Sequence, residues 1–167
     1  MRVPALLLLS GLALATAACN TTDTGGPVAE PLASAPQPVE GYDWFYHATG
    51  DDARLAYGLA ESDDLRLGMD CRRGAGRLEL SATSQNADAK EIHVESGGDT
   101  ERFPARSEPS ELHDGVFLTA SADVDEPVFQ RFRQVGWLAV WQGETREAYA
   151  PHPGSRGNIE RFFAFCG

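Results

Sequence analysis

Apolar and polar side chains alternate in short runs from about residue 42 to the end of the chain. The clearest run has Leu65, Leu67, Met69 and Cys71 at its apolar positions, with polar residues or glycine between them. Successive side chains of a strand point to opposite faces, so a period of two predicts a half-buried strand. The same reasoning, together with enrichment in aromatic and β-branched residues, predicts strands over 43–48, 53–60, 64–71, 77–82, 92–94, 101–106, 116–120, 137–142 and 145–150.

Two segments change to the period of a helix. The first covers about 127–135, begins at Pro127 after a candidate cap at Asp125, and ends at Gly136. The second covers about 158–166, with Asn158 or Ser155 as candidate cap. Its apolar residues fall at i, i+3, i+4 and i+7 and form one stripe, namely Ile159, Phe162, Phe163 and Cys166.

Seven to nine short strands with frequent turn signals, plus two short helices, predict a mainly β domain. We expect an antiparallel β-sandwich or small barrel covering residues 42–167 as one domain. Pro104 lacks an amide donor, so the strand over 101–106 is predicted to lie at an edge of the sheet.

The first 41 residues have a different character. Residues 1–18 combine a positive start, an apolar run and small residues, which is typical of a secretory signal peptide. The run Thr16-Ala17-Ala18-Cys19 resembles a bacterial lipobox, which implies cleavage before Cys19 and lipidation of that residue. An alternative cleavage after Ala15-Thr16-Ala17 would instead release a soluble secreted or periplasmic protein. Residues 19–41 contain four prolines and a glycine pair without apolar periodicity, and they are predicted to form a disordered tether.

The cysteine count favours lipidation. The chain has only Cys19, Cys71 and Cys166, an odd number for an oxidising compartment. Lipidation of Cys19 leaves one even pair. Cys71 lies on the inward face of its predicted strand and Cys166 on the apolar stripe of the last helix, so we predict a disulfide between them. By resemblance to the same export class, Asn20 implies an outer-membrane location, facing the periplasm.

The charge balance excludes some partners. After removal of the leader the chain has 13 basic and 25 acidic residues, a net charge of −12, and Lys90 is its only lysine. Nucleic acids and anionic lipid headgroups are bound by clustered basic residues. We therefore expect no nucleic-acid partner, and a membrane contact only through the N-terminal lipid.

No known catalytic, cofactor or metal motif is present. The chain lacks a nucleophile elbow, a zinc-protease helix, a phosphate-binding loop and a C-x-x-C pair. His47, His93, His113 and His152 lie in four separate segments without the spacing of metal ligands. No catalytic residue, metal site or cofactor is predicted.

Two groups of residues are candidates for binding. Arg72, Arg73 and Arg77 surround the turn of the first hairpin, where they could bind a carboxylate or phosphate or simply be solvated. Trp137 and Trp141 share one face of a predicted strand, while Leu138 and Val140 share the other. Either face could be the core; if the tryptophans are exposed, they could form a binding platform.

The sequence thus predicts a lipid-anchored protein of the bacterial cell envelope with a non-catalytic interaction domain. Its ligand is unknown, an envelope protein or polymer. The alternatives are a small envelope hydrolase or metal-binding protein whose site forms only in three dimensions, and an inhibitor that presents a loop to a partner. A cleft that holds His93 or His113 beside carboxylates with strongly shifted pKa values would favour the hydrolase.

Overall fold

The computed structural model describes residues 35–111 and 114–167; the predicted signal peptide, Cys19, most of the predicted tether and His113 lie outside these ranges. The fold is mainly β, with nine antiparallel strands and two helices, which confirms the predicted class. The elements are β1 (Tyr42–Thr49), β2 (Asp52–Leu59), β3 (Leu65–Arg72), β4 (Arg77–Ser84), β5 (Glu91–Ser96), β6 (Asp99–Pro109), β7 (Val116–Asp123), α1 (Pro127–Val135), β8 (Leu138–Gln142), β9 (Thr145–Tyr149) and α2 (Arg156–Cys166).

The strands form one sheet in the order β1-β2-β3-β4-β7-β6-β5-β8-β9, which curls into a nearly closed barrel. Strand β6 changes partners along its length, pairing with β5 over residues 99–104 and with β7 over residues 105–109. The prediction of an edge strand was therefore wrong. Ala105 donates its amide to the Lys90 carbonyl (2.8 Å), so the nitrogen of Pro104 points to the opposite side, where pairing with β7 has just ended.

Both helices contribute to the core together with the inward side chains of the strands. Phe129 and Phe132 of α1 and Phe162 and Phe163 of α2 are buried in this cluster. Helix α1 spans the predicted residues, but Glu126 rather than Asp125 occupies its N-cap, and no side chain caps it. The prediction of an Asp125 cap was wrong. At the other end Gly136 adopts a left-handed conformation (φ 82°), and its amide donates to the Phe132 carbonyl (2.7 Å).

Helix α2 begins at Arg156, two residues before the predicted start, with Ser155 at the N-cap position. Ser155 makes no capping bond because its hydroxyl binds the carboxylate of Asp43 instead. The four residues of the predicted apolar stripe are all buried.

The disulfide between Cys71 and Cys166 is present and fastens the end of α2 to β3. The turn between β3 and β4 completes this attachment. The amides of Gly74 and Gly76 donate to the carbonyls of Phe165 (3.0 Å) and Cys166 (2.9 Å). These carbonyls belong to the last turn of α2, where backbone carbonyls have no hydrogen-bond donor within the helix itself.

The barrel has a seam where β1 and β9, the two ends of the strand order, meet without pairing. The indole nitrogen of Trp44 in β1 donates to the carbonyl of Tyr149 in β9 (3.1 Å). Tyr57 stacks between Tyr42 (5.9 Å between centroids) and Tyr149 (4.5 Å). Aromatic packing thus fills the seam in place of a hydrogen-bond ladder. Neither helix described is long and apolar enough to cross a membrane.

Candidate functional site

The three arginines predicted as a possible anion site lie at the end of the barrel where α2 is attached. Arg77 pairs with Asp123 (2.7 Å), Arg73 with Asp51 (3.4 Å), and Arg72 lies 4.0 Å from Asp52. The Arg73 guanidinium also covers the ring of Phe165 at 4.0 Å. Each positive charge therefore has a carboxylate beside it, and one arginine packs on the last turn of α2.

The outer face of the neighbouring strands has a shallow depression of about 650 Å³. It runs across β1 to β4 and includes Arg72 and Arg77. In its centre Arg54 forms two hydrogen bonds with Asp70, at 2.7 and 2.9 Å. Such solvent-exposed pairs on an open face contribute little energy. The depression is large, but it is open to solvent and lacks the enclosure of a ligand site.

The two predicted tryptophans lie on the outer face of β8, because Leu138 and Val140 point into the core. Trp137, just before the strand, is only 5% exposed and packs in a small separate cluster with Ala139 and Ala150. The Arg146 guanidinium covers its ring at 5.2 Å. Trp141 is half-buried. The two rings therefore do not form one exposed platform, and only Trp141 offers a surface to a ligand.

A bonded network surrounds Trp141. Arg146 donates two hydrogen bonds to the carboxylate of Glu95 (2.8 and 2.9 Å), and the Trp141 indole nitrogen donates a third (2.9 Å). Hydrogen bonding from Arg146, assisted by that of Trp141, holds the pKa of Glu95 below its usual value despite partial burial. The network fixes the orientation of the Trp141 ring.

His93 stacks on Trp141, with ring centroids 5.8 Å apart and planes inclined by 17°. Its Nε2 atom lies 2.6 Å from the hydroxyl of Thr100. Partial burial lowers the pKa of His93, and the charge of Arg102 lowers it further, so the neutral imidazole is favoured. A neutral ring stacked on an indole is an aromatic surface rather than a cationic one.

Trp141 and His93 line a cavity of about 330 Å³ at the end of the barrel opposite to the disulfide. A second cavity of about 450 Å³ adjoins it and shares Thr83, Asn86, Val140, Gln142 and Gly143 with the first. Between them the side chain of Gln142 donates to the Thr83 carbonyl (3.1 Å). The two cavities together are termed the mouth cleft below. Volumes of this size are typical of small ligand sites.

The mouth cleft is built from strand ends that are distant in sequence. The end of β4, the loop over 85–90, the start of β5 and the turn between β8 and β9 form its walls. Four inward side chains form an apolar floor: Ala82, Ile92, Leu118 and Val140. Amide and hydroxyl groups surround this floor, from Thr83, Gln85, Asn86, Gln142 and Thr145.

The second cavity has an arginine and a carboxylate in its wall. Arg66 donates to the hydroxyl of Tyr42 (3.1 Å) and lies 3.9 Å from Glu147. Its Nε atom is 3.0 Å from one carboxylate oxygen of Asp64 but is misaligned for a hydrogen bond, whereas a terminal guanidinium nitrogen donates to the other oxygen (3.4 Å). Hydrogen bonding to Tyr42, reinforced by Asp64 and Glu147, raises the pKa of Arg66 and keeps it charged.

Two tyrosines of the seam lie close to this charged group. The Tyr149 hydroxyl donates to Glu147 (3.1 Å), and burial raises the pKa of Tyr149. The Tyr57 hydroxyl is buried and has no hydrogen-bond partner within the described ranges; burial, assisted by the carboxylate of Asp43, raises its pKa to about 12. Both rings are neutral at physiological pH.

Comparison of the chain with protein-family models, with curated proteins and with solved structures found no match. A function for this chain is therefore inferred from the geometry of its own residues. In residues 35–111 and 114–167, no group of three or more histidine, cysteine, aspartate or glutamate side chains is arranged to hold a metal ion.

Sequence reasoning identified Trp141 but missed most of the mouth cleft. Alternation along β5 places His93 and Glu95 on one face, and this signal was available. The contribution of Arg66 could not be predicted from alternation. The pairing of β2 with β3 shifts register between Tyr57 and Gly58, and this irregularity changes where the Arg66 side chain lies. Arg146 gave no signal either, since its partner Glu95 is 51 residues away.

Proposed function

We propose that this chain is a lipid-anchored protein of the bacterial cell envelope whose β domain is a non-catalytic binding module with its ligand site in the mouth cleft. The anchor is Cys19, at the start of a tether that separates the domain from the membrane. The ligand is another component of the envelope.

The observation that carries the binding role is the composition of the mouth cleft. It combines an apolar floor with convergent amides, hydroxyls and one half-buried indole, which is the usual make-up of a ligand site. Its principal aromatic group is held in place, because the Trp141 nitrogen is bonded to Glu95 and its ring is stacked on His93. Groups held in place before binding lose little entropy when a ligand arrives.

The envelope location is supported by the Cys71–Cys166 disulfide. Disulfides persist in secreted and periplasmic proteins and are rare in the reducing cytosol. With these two cysteines bonded, Cys19 is the one cysteine of the sequence left for lipidation. A lipid with two or more acyl chains would anchor the protein stably, at about 0.8 kcal/mol for each buried CH₂.

The binding role can be tested by photo-crosslinking in living cells. A benzophenone amino acid is placed at Gln142 in the mouth cleft and, as a matched control, at Gln134 on α1. Both glutamines are exposed. We expect an adduct of altered gel mobility at position 142 and none at position 134. Equal labelling at both positions, or no adduct at either, would exclude the mouth cleft as a binding site in the envelope.

The anchor is tested separately by intact-mass analysis of protein extracted from membranes. The expected mass is that of a chain beginning at Cys19 with covalently bound acyl chains. An unmodified N-terminus at any residue would refute lipidation without affecting the binding site.

A further inference from the structure

The charge of the mouth cleft differs from that of the protein as a whole. The full chain has a net charge of −11. The lining of the mouth cleft has three cationic and three anionic side chains, which balance: Arg66, Lys90 and Arg102 against Asp88, Glu91 and Glu147. Arg102 is already paired with Glu91 and Arg66 lies near Glu147. A local balance within an acidic surface does not attract an anionic or a cationic polymer.

The hydrogen-bonding groups of the lining act both as donors and as acceptors. Gln85, Asn86 and Gln142 each present an amide with two N–H donors and a carbonyl acceptor. Thr83 and Thr145 add hydroxyls, which also do both. A hydroxyl-rich ligand matches such a lining, because every hydroxyl group can also donate and accept.

An aromatic surface completes the set at one end. The half-buried Trp141 is held edge-on by Glu95 and stacked on a neutral His93. A fixed indole presents a large apolar face at low entropic cost. The C–H face of a sugar ring is apolar while its rim is hydroxylated, so one ligand can use both the indole and the amides.

We infer that the mouth cleft binds an uncharged saccharide chain, with one sugar ring against Trp141 and its neighbours extending past Gln142 toward Arg66 and Glu147. This inference rests on the proposed binding function and names the chemistry of its ligand. A nucleic acid or an anionic lipid would need an excess of positive charge that the lining lacks. An extended peptide that adds a strand would use a free strand edge. Strands β4, β5 and β8 are each paired on both sides, and the unpaired edge of β9 meets β1 at the seam, where Trp44 donates to the Tyr149 carbonyl.

The test uses the full-length protein extracted in a detergent without sugar groups. The probes are chitotetraose and cellotetraose, two uncharged chains of four sugars, and binding is measured by calorimetry. We expect at least one probe to bind, with affinity unchanged within twofold between about 50 mM and about 500 mM salt, since screening does not affect a neutral ligand. The Trp141 fluorescence should change on binding, and the change should be lost in Trp141→Phe.

Matched glutamine variants locate the site. Gln85→Ala and Gln142→Ala should each weaken binding by about three- to tenfold, as expected for loss of one hydrogen bond of about 1 kcal/mol. Gln134→Ala, on α1, should bind within twofold of the natural chain. Thermal melts that agree within about 2 °C exclude unfolding as the cause, because these exposed side chains carry little stability.

The outcomes separate the saccharide inference from the binding function. If neither saccharide binds while position 142 still crosslinks in cells, the saccharide inference is overturned and the binding function stands. Binding of an uncharged alanine–serine hexapeptide at the same residues, without saccharide binding, also overturns the inference. If both saccharide binding and the crosslink at 142 are absent, both proposals fail.

Discussion

Tyr57 and Tyr149 stack with their ring centroids 4.5 Å apart and their planes inclined by 18°, although β2 and β9 are not neighbours in the sheet. The stack crosses the seam of the barrel. The two hydroxyls differ, because that of Tyr149 donates to Glu147 whereas that of Tyr57 is buried with no hydrogen-bond partner among residues 35–111 and 114–167. A pair of matched substitutions therefore separates the packing of the rings from the bonding of the hydroxyls.

Tyr57→Phe should leave the free energy of unfolding unchanged or raise it slightly, because it removes a buried hydroxyl that gains no bond. Tyr149→Phe should lower it by about 1 kcal/mol, because the bond to Glu147 is lost. Urea denaturation of both variants measures the difference. A loss of more than about 1 kcal/mol in Tyr57→Phe would show that its hydroxyl is bonded in solution.

Removing the disulfide should destabilise the domain strongly. The bridge joins residues 95 positions apart, and loops of this length contribute about 4–5 kcal/mol in the chain-entropy model. Cys71→Ser/Cys166→Ser should lower the free energy of unfolding by up to that amount. Thiol titration of the unfolded, unreduced protein should find neither of these two cysteines reactive. Two reactive thiols would contradict the bridge.

The Arg146 guanidinium covers the Trp137 ring, so its replacement by a smaller cationic group should expose the indole to solvent. The planar guanidinium of Arg146 forms two hydrogen bonds with Glu95 and covers the Trp137 ring. The ammonium group introduced by Arg146→Lys is a compact charge that can neither bind the carboxylate in this way nor cover the ring as well. We expect a loss of about 1 kcal/mol of stability and stronger quenching of tryptophan fluorescence by acrylamide. Arg106→Lys, on the exposed outer side of β6, is the matched control. Quenching that is equal in the two variants would refute the shielding.

Acid should weaken the fold partly through Glu95. The pKa of Glu95 is lowered in the folded state. The ionised carboxylate therefore stabilises the fold when the pH is above the ordinary glutamate pKa of about 4.5, and this stabilisation is lost as the pH falls through the lower pKa of the folded state. The free energy of unfolding, measured against pH, should decline less steeply below 4.5 in Glu95→Gln than in the natural chain. Glu108→Gln, at an exposed position of β6, is the matched control for the replacement of a carboxylate by an amide. A Glu95→Gln slope equal to the natural one would show that Glu95 is not preferentially ionised in the fold.

Local patterns predicted the elements of this fold well. Alternation, aromatic enrichment and turn signals predicted seven to nine strands, of which the structure has nine. The stripe containing Ile159 and Phe163 predicted the buried face of α2, and cysteine arithmetic predicted the Cys71–Cys166 bridge. Each of these depends on neighbouring residues or on a simple count. The helix caps were less predictable, because Ser155 is drawn to Asp43, a residue 112 positions away.

Long-range relationships could not be read in the same way. The change of partner within β6 depends on β5 on one side and β7 on the other. Pro104 shows only that its own nitrogen donates no hydrogen bond to a neighbouring strand. Both faces of β8 are apolar, so the sequence left open which one is core. The mouth cleft draws residues from positions 66 to 147, and no local pattern connects Arg66 with Gln142.

The proposed occupancy of the mouth cleft in the cell envelope is tested most directly by amide hydrogen exchange. Exchange is compared between the protein in isolated envelopes and the same protein after extraction in sugar-free detergent. We predict slower exchange in the envelope over residues 83–91 and 142–145, the walls of the mouth cleft, and no change over residues 46–56, which lie in β1, β2 and their turn at the disulfide end of the barrel. Equal exchange in the two states, or protection confined to residues 46–56, would contradict the assignment of the mouth cleft as the ligand site.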